Sequence, residues 1–215
     1  MLLFSDGSKG GTGKSLVAAL LLDHYLEVAA DPVLIETDTS NPDVFKAYNA
    51  ACKALTCNID TEDGWASFLN CVDEHRNLPL VVNCGARNQE AIATWGETIS
   101  VLGVAHKTMW VINHERDSLL LLNQYCKIVP AETVTVVRNG FYGKEEDFGA
   151  YNDSNIRRTI SSELYLPKMM KKAASAMYSA RKPLHEAAAS LPVGERIMYE
   201  SWYRKAQALI LGVLA

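Results

Sequence analysis

Eight residues near the start, Ser8-Lys9-Gly10-Gly11-Thr12-Gly13-Lys14-Ser15, lie between a short apolar run (Met1 to Phe4) and a long apolar stretch of helical pattern (Leu16 to Leu26). Nothing else in the chain restricts its fold so strongly. Glycines allow a turn tight enough for several backbone N–H groups to converge on phosphate oxygens, and the positive end of the following helix adds to the attraction. Such a loop works where a strand hands over to a helix, so the fold must bring strand ends and helix N-termini together. In that setting Lys14 reaches the terminal phosphates of a nucleotide and the Ser15 hydroxyl ligates magnesium. A glycine-rich turn without function is the alternative. It suits an isolated glycine pair better than an eight-residue run in this context.

Downstream, apolar strand-like runs alternate with helix-like segments, the pattern of a parallel sheet covered on both faces. The expected fold is α/β, a single doubly wound domain over residues 1–215 with a mainly parallel sheet flanked by helices. Six strands are expected: Leu2 to Ser5, Val33 to Thr37, Leu80 to Gly85, Thr108 to Asn113, Thr133 to Asn139 and Glu163 to Pro167. Helices are expected at Lys14 to Ala29, Pro42 to Cys52, Trp65 to Glu74, Gln89 to Leu102, Arg116 to Ile128, Lys168 to Ser179 and Ile197 to Ala215, with Cys57 to Gly64 as a loop. With 215 residues and 48% hydrophobic content, such a domain buries a core without disulfides or metals.

The net charge of -4 argues against a protein that coats nucleic acid over its whole surface. Positive charge gathers at Arg157, Arg158, Lys168, Lys171, Lys172, Arg181 and Lys182, either as a patch for DNA phosphates or as a solvated helix face. Five cysteines, odd in number and at no metal-ligand spacing, read as reduced thiols. No secretion signal is seen and no run approaches a membrane span, so the chain is expected to be cytoplasmic. The apolar face of the last segment, with Trp202, Leu209 and Ile210, is expected to pack on the sheet rather than on a membrane. Glu36 and Asp38 stand at the end of the second strand, where the turning backbone lets both approach a nucleotide. Surface loop charges ahead of a helix cap at Asn41-Pro42 are the alternative. His114 is expected to be an ordinary loop residue.

Lys9, directly before the glycine pair, goes with a departure from the ordinary loop, whose first glycine position holds Ser8 here. The loop thereby resembles the deviant Walker A motif of the ParA/MinD-type ATPases. The resemblance continues through Glu36-x-Asp38, Gly85, Asn139 and Leu166-Pro167. Within that group, Glu36 to Asp43 and Asn139 to Gly143 look most like the plasmid-borne TraL-like and StbB-like proteins. The resemblance implies bound ATP and magnesium, with Lys9, Gly10, Gly11, Thr12, Gly13, Lys14, Ser15 and Leu16 holding the nucleotide. It implies that the Asn139 amide reads the adenine edge, with a plain Asn-Gly turn as the alternative. It implies a metal site drawing on Ser15, Glu36, Asp38 and Asn83, and catalysis resting on Lys9, Lys14 and Asp38, the last positioning the attacking water. Family members usually carry an aspartate where Asn83 stands, so slow hydrolysis is expected. The resemblance further implies an ATP-dependent homodimer in which Lys9 reaches the partner's phosphates. The expected role is an ATPase switch in plasmid partition, stability or conjugative transfer, with a partition or conjugation protein as partner. Two other classes stay open: a nucleotide-binding module that hydrolyses little, and an ATP-dependent ligase of the dethiobiotin synthetase sort.

Overall fold

The run Leu2–Gly7 (β1) is buried along its whole length because it lies inside a sheet, with a parallel neighbour on each side. In the computed structural model, which describes residues 1–7, 10–85, 98–99 and 101–214, the further strands are β2 (Val33–Glu36), β3 (Lys53–Thr56), β4 (Leu80–Asn83), β5 (His106–Ile112), β6 (Val134–Asn139) and β7 (Ser162–Leu166). They form one sheet in the order β3-β2-β4-β1-β5-β6-β7, and every described pair is parallel. Parallel pairing needs a crossover for each step, and helices supply it. The helices are α1 (Lys14–Glu27), α2 (Asp43–Tyr48), α3 (Glu62–Glu74), α4 (Arg116–Tyr125), α5 (Gly149–Asn152), α6 (Lys171–Ala180), α7 (Leu184–Ala187) and α8 (Val193–Leu214).

Two hydrophobic clusters, one on each face of the sheet, make the fold doubly wound. On one face, Leu16–Leu22 of α1 join Val44 and Tyr48 of α2 and residues of α6, α7 and α8. On the other, Phe68 and Val72 of α3 pack with Leu122 and Tyr125 of α4 and Tyr151 of α5. From Leu16 to Leu22 helix α1 is apolar on every side and correspondingly buried, as expected of a helix walled in by sheet and neighbours. Helix α8 packs on β7 and α1 through Trp202, Ala206 and Ile210, and Trp202 Nε1 donates to the Pro167 carbonyl at 2.7 Å. Among the described residues no helix is long and apolar enough to cross a membrane.

The expected doubly wound sheet is observed with one further strand, and the short helices α5 and α7 also stand outside the expected elements. Strand β3 occupies Lys53–Thr56, between the expected helix and loop; at the sheet edge it is half exposed and lacks an apolar run. Helix α3 starts at Glu62, earlier than expected, because the Thr61 hydroxyl caps the Gly64 N–H at 3.2 Å. The helix expected from Gln89 lies, except for its last residues, outside the described residues.

Candidate nucleotide-binding site

The reversal of strand order on either side of β1 leaves a crevice at the carboxyl ends of β1, β2 and β4, where ligands bind in open α/β sheets. The loop between β1 and α1 forms one wall. Gly11 (φ 81°) and Gly13 (φ 109°) adopt left-handed conformations that side chains disfavour, and a Cβ on Gly13 would collide with the Asn139 amide. Gly13 is the N-cap of α1, and among the described residues no side chain caps that helix. Its first turn therefore offers N–H groups and dipole to an incoming anion. Lys14 is 7% exposed, and Ser15 is half buried. The Leu16 N–H donates to the Gly13 carbonyl at 3.1 Å while the Leu16 side chain enters the core, so this residue acts by shaping the loop. Ser8 and Lys9 lie outside the described residues.

Three side chains far apart in sequence hold the loop. The Ser5 hydroxyl donates to the Lys14 carbonyl at 2.7 Å, Asn139 Nδ2 to the Thr12 carbonyl at 2.7 Å, and the Tyr142 hydroxyl to the Gly11 carbonyl. Asn139 also accepts the Phe141 N–H at 3.0 Å, so it serves the loop and its own turn together.

The facing wall of the crevice, a cleft of about 520 Å³, comes from Thr37, Asp38, Asn41 and Asp43 after β2, Asn58 and Asp60 after β3, and Gly85 after β4. Asp38 Oδ1 accepts the Asn41 N–H at 3.0 Å, which fixes the turn leading into α2. Thr37 joins two strand ends: its hydroxyl donates to the Asn83 carbonyl (3.0 Å) and accepts the Gly85 N–H (3.1 Å). Glu36 and Asn83 lie one layer deeper and do not line the cleft. Glu36 is fully buried and accepts N–H groups from Asn83 Nδ2 (2.8 Å), Asp38 (3.0 Å) and Phe45 (3.3 Å). Burial pushes its carboxyl up to about 7, against the lowering effect of those bonds.

Asp6, Asn58 and Asp60 are not among the expected site residues. Asp6 is 4% exposed at the end of β1, where burial pushes it up to about 6 against the Gly7 N–H bond and the Lys14 charge. Asn58 and Asp60 follow β3 as Asp38 follows β2, so recognition of that strand would have drawn attention to them.

A divalent cation fits this donor set. Ser15 and Asp38 are oxygen donors in one cleft, and the buried Asn83 Oδ1 has no hydrogen-bond partner among the described residues. The basic residues do not form one free surface. Arg157 pairs with Glu163 (2.7 Å), Lys172 with Glu195 (2.9 Å) and Lys182 with Glu186 (3.8 Å), while Lys168 lies 5.4 Å over the Phe141 ring.

Loop, sheet and crevice define a P-loop NTPase fold of the MinD kind. Solved structures with this fold include a nucleotide-binding protein of Archaeoglobus fulgidus in complex with ADP (TM-score 0.56, 12% identity, 85% of this chain and 86% of that one). They also include the MinC:MinD cell division protein complex of Aquifex aeolicus (TM-score 0.56, 15% identity, 97% and 96%). No family model matches the sequence. Protein MobD of Acidithiobacillus ferrooxidans is 38% identical over 216 residues, spanning 97% of this chain and 95% of MobD. The chain belongs to the family of MobD.

Proposed function

We propose that this chain is a single-domain ATPase that binds ATP with magnesium, hydrolyses it slowly, and uses the nucleotide to time its own dimerisation. The observation that carries this reading is the N-terminus of α1, free of a side-chain cap among the described residues, behind a loop of left-handed glycines and facing Asp38 across an open cleft. Lys14 and the loop N–H groups take the phosphates, Ser15 and Asp38 take the metal, and the Asn139 end of β6 lies beside the base. Held by Ser15 and Asp38, magnesium would supply charge neutralisation at the phosphates. Asp38 orients the attacking water, and Lys9 crosses to the phosphates of a second copy. Kinship with MobD and the likeness to TraL-like and StbB-like proteins support service in plasmid mobilisation or partition, in the cytoplasm, beside a plasmid-encoded partner. The ion pairs of Arg157, Lys172 and Lys182 favour the solvated-face reading of that cluster over a DNA patch.

Light scattering of the purified protein with magnesium and ATP, ADP or no nucleotide tests the switch. A dimer seen only with ATP, and lost in Lys9→Ala, is the expected result; one mass under every condition refutes it. Asn83 favours a second reading, a binding module that hydrolyses little. Greatly increased turnover in Asn83→Asp would support that reading.

A further inference from the structure

Strand register sets Ser5, Asn83 and Glu36 side by side on three adjacent strands, with Ser5 opposite Asn83 and Asn83 opposite Glu36. The row faces α1, because the Ser5 hydroxyl bonds the Lys14 carbonyl in the first turn of that helix. Asn83 is 1% exposed, and its two amide atoms are in unequal positions. Nδ2 donates to Glu36 Oε1 at 2.8 Å, and Oδ1 is buried with no hydrogen-bond partner among the described residues. With Glu36 ionised, turning the amide over would set its oxygen against a carboxylate that already accepts from Asp38 and Phe45. A buried acceptor without a donor is costly, and such atoms in folded proteins mark the place of a missing donor.

We infer that Glu36 is a positioning residue that aims the Asn83 amide oxygen at a water carried by the bound magnesium. This rests on the magnesium-nucleotide reading above and adds to it an assigned role for the Glu36–Asn83 pair. The pair acts as a unit, and adds its own share to the magnesium dependence that Ser15 and Asp38 supply.

The test compares the affinity for ATP with magnesium and with EDTA, by calorimetry, in wild type, Glu36→Gln, Asn83→Leu and the double variant E36Q/N83D. Glu36→Gln leaves the neighbouring amide free to turn over, and Asn83→Leu removes the acceptor. Both are expected to lose about tenfold or more of the magnesium-dependent gain, the range for groups that orient metal ligands, with affinity in EDTA unchanged. E36Q/N83D keeps one carboxylate and one amide in exchanged places and is expected to recover the gain. A merely structural role would lower affinity equally in EDTA and in magnesium. The inference is overturned if the single variants keep the full magnesium gain, or if the double variant is no better than E36Q. Wild type that binds no ATP in either buffer refutes the nucleotide reading itself, an outcome distinct from binding that is indifferent to position 83.

Discussion

Asp23, fully buried on α1, has four polar partners, and Asp23→Asn is expected to cost stability in a pH-dependent way. Its Oδ1 accepts from the Tyr48 hydroxyl (2.8 Å) and lies 3.0 Å from His185 Nδ1; its Oδ2 accepts from the backbone His185 N–H (2.7 Å) and lies 3.0 Å from the Tyr203 hydroxyl, whose single proton is shared with Glu27 at 2.7 Å. Asparagine keeps the shape but loses the charge. The least costly arrangement turns its amide nitrogen toward Tyr48 and His185, where the hydroxyl can rotate and a neutral imidazole can accept. Bonds to a charged group, about 1.5–3 kcal/mol each, then become neutral bonds of about 0.5–1.5 kcal/mol. Offset by the relief of a buried charge, the expected loss is about 2–4 kcal/mol. The His185 pKa is raised, first by its hydrogen bond to Asp23, with Glu186 and Glu27 adding to the field. A raised folded-state value means that stability from protonated His185 is fully present below about 6.5, the ordinary histidine value, and is lost as pH rises through the folded-state value. The gap between wild type and Asp23→Asn is therefore widest at about pH 6 and narrower at about pH 8.5. Urea unfolding followed by tryptophan fluorescence at both values measures it. Equal stability of the two proteins, or a gap that does not shrink with rising pH, would refute the argument.

Gly13→Ala is expected to cost about 2–5 kcal/mol, from a left-handed backbone at about 1–2 and displacement of Asn139 from Thr12 at about 1–3. Combining it with Asn139→Ala should cost less than the sum of the two, since the Cβ then has no amide to strike; additive losses in denaturant titrations would discard the collision. Thr61→Ala removes the cap of α3 and should lower unfolding free energy by about 1 kcal/mol, with Thr61→Ser near wild type; indifference to alanine would deny the cap a role. Tyr142→Phe should change global stability by no more than about 1 kcal/mol yet speed amide hydrogen exchange at Gly11 to Gly13, because the hydroxyl holds the Gly11 carbonyl. Unchanged exchange there would show that Asn139 and Ser5 hold the loop without it.

The loop and the strand-helix alternation were legible because both are local. A glycine run and an apolar period carry their physics within a few residues. Strand β3 escaped because an edge strand needs only partial burial, and Lys53-Ala54-Leu55-Thr56 has no apolar face that distinguishes it from a linker. Its loss hid Asn58 and Asp60, which matter only through their place beside the Asp38 turn. Asp6 escaped for a different reason. A single acid after an apolar run gives no sign of burial until the sheet closes around it. Asn83 was noticed as a missing charge, but the sequence could not show that Glu36 lies 2.8 Å away on the neighbouring strand, since register depends on how β2 and β4 pair. Of the seven basic residues, Lys172 meets an acid 23 positions away, and no composition count foresees such a pairing.

The two walls of the cleft do not stand independently. Helix α2, which follows the Asp38 turn, starts with its Phe45 N–H on Glu36 and ends at Tyr48. The Tyr48 hydroxyl lies within hydrogen-bond distance of the Ala19 carbonyl and Asp23 on α1, and it accepts the Leu184 N–H of α7. Helix α1 carries the phosphate loop at its other end, and α7 is tied in turn to α8 by the Tyr199 hydroxyl on the Leu184 carbonyl at 2.7 Å. A displacement of the Asp38 turn must therefore either break bonds to buried groups or carry α2, α7 and α8 with it. Breaking a bond to a buried acceptor costs about 1–3 kcal/mol for each group left unpaired, so the Asp38 turn, α2, α1 and α7 are held together as one unit.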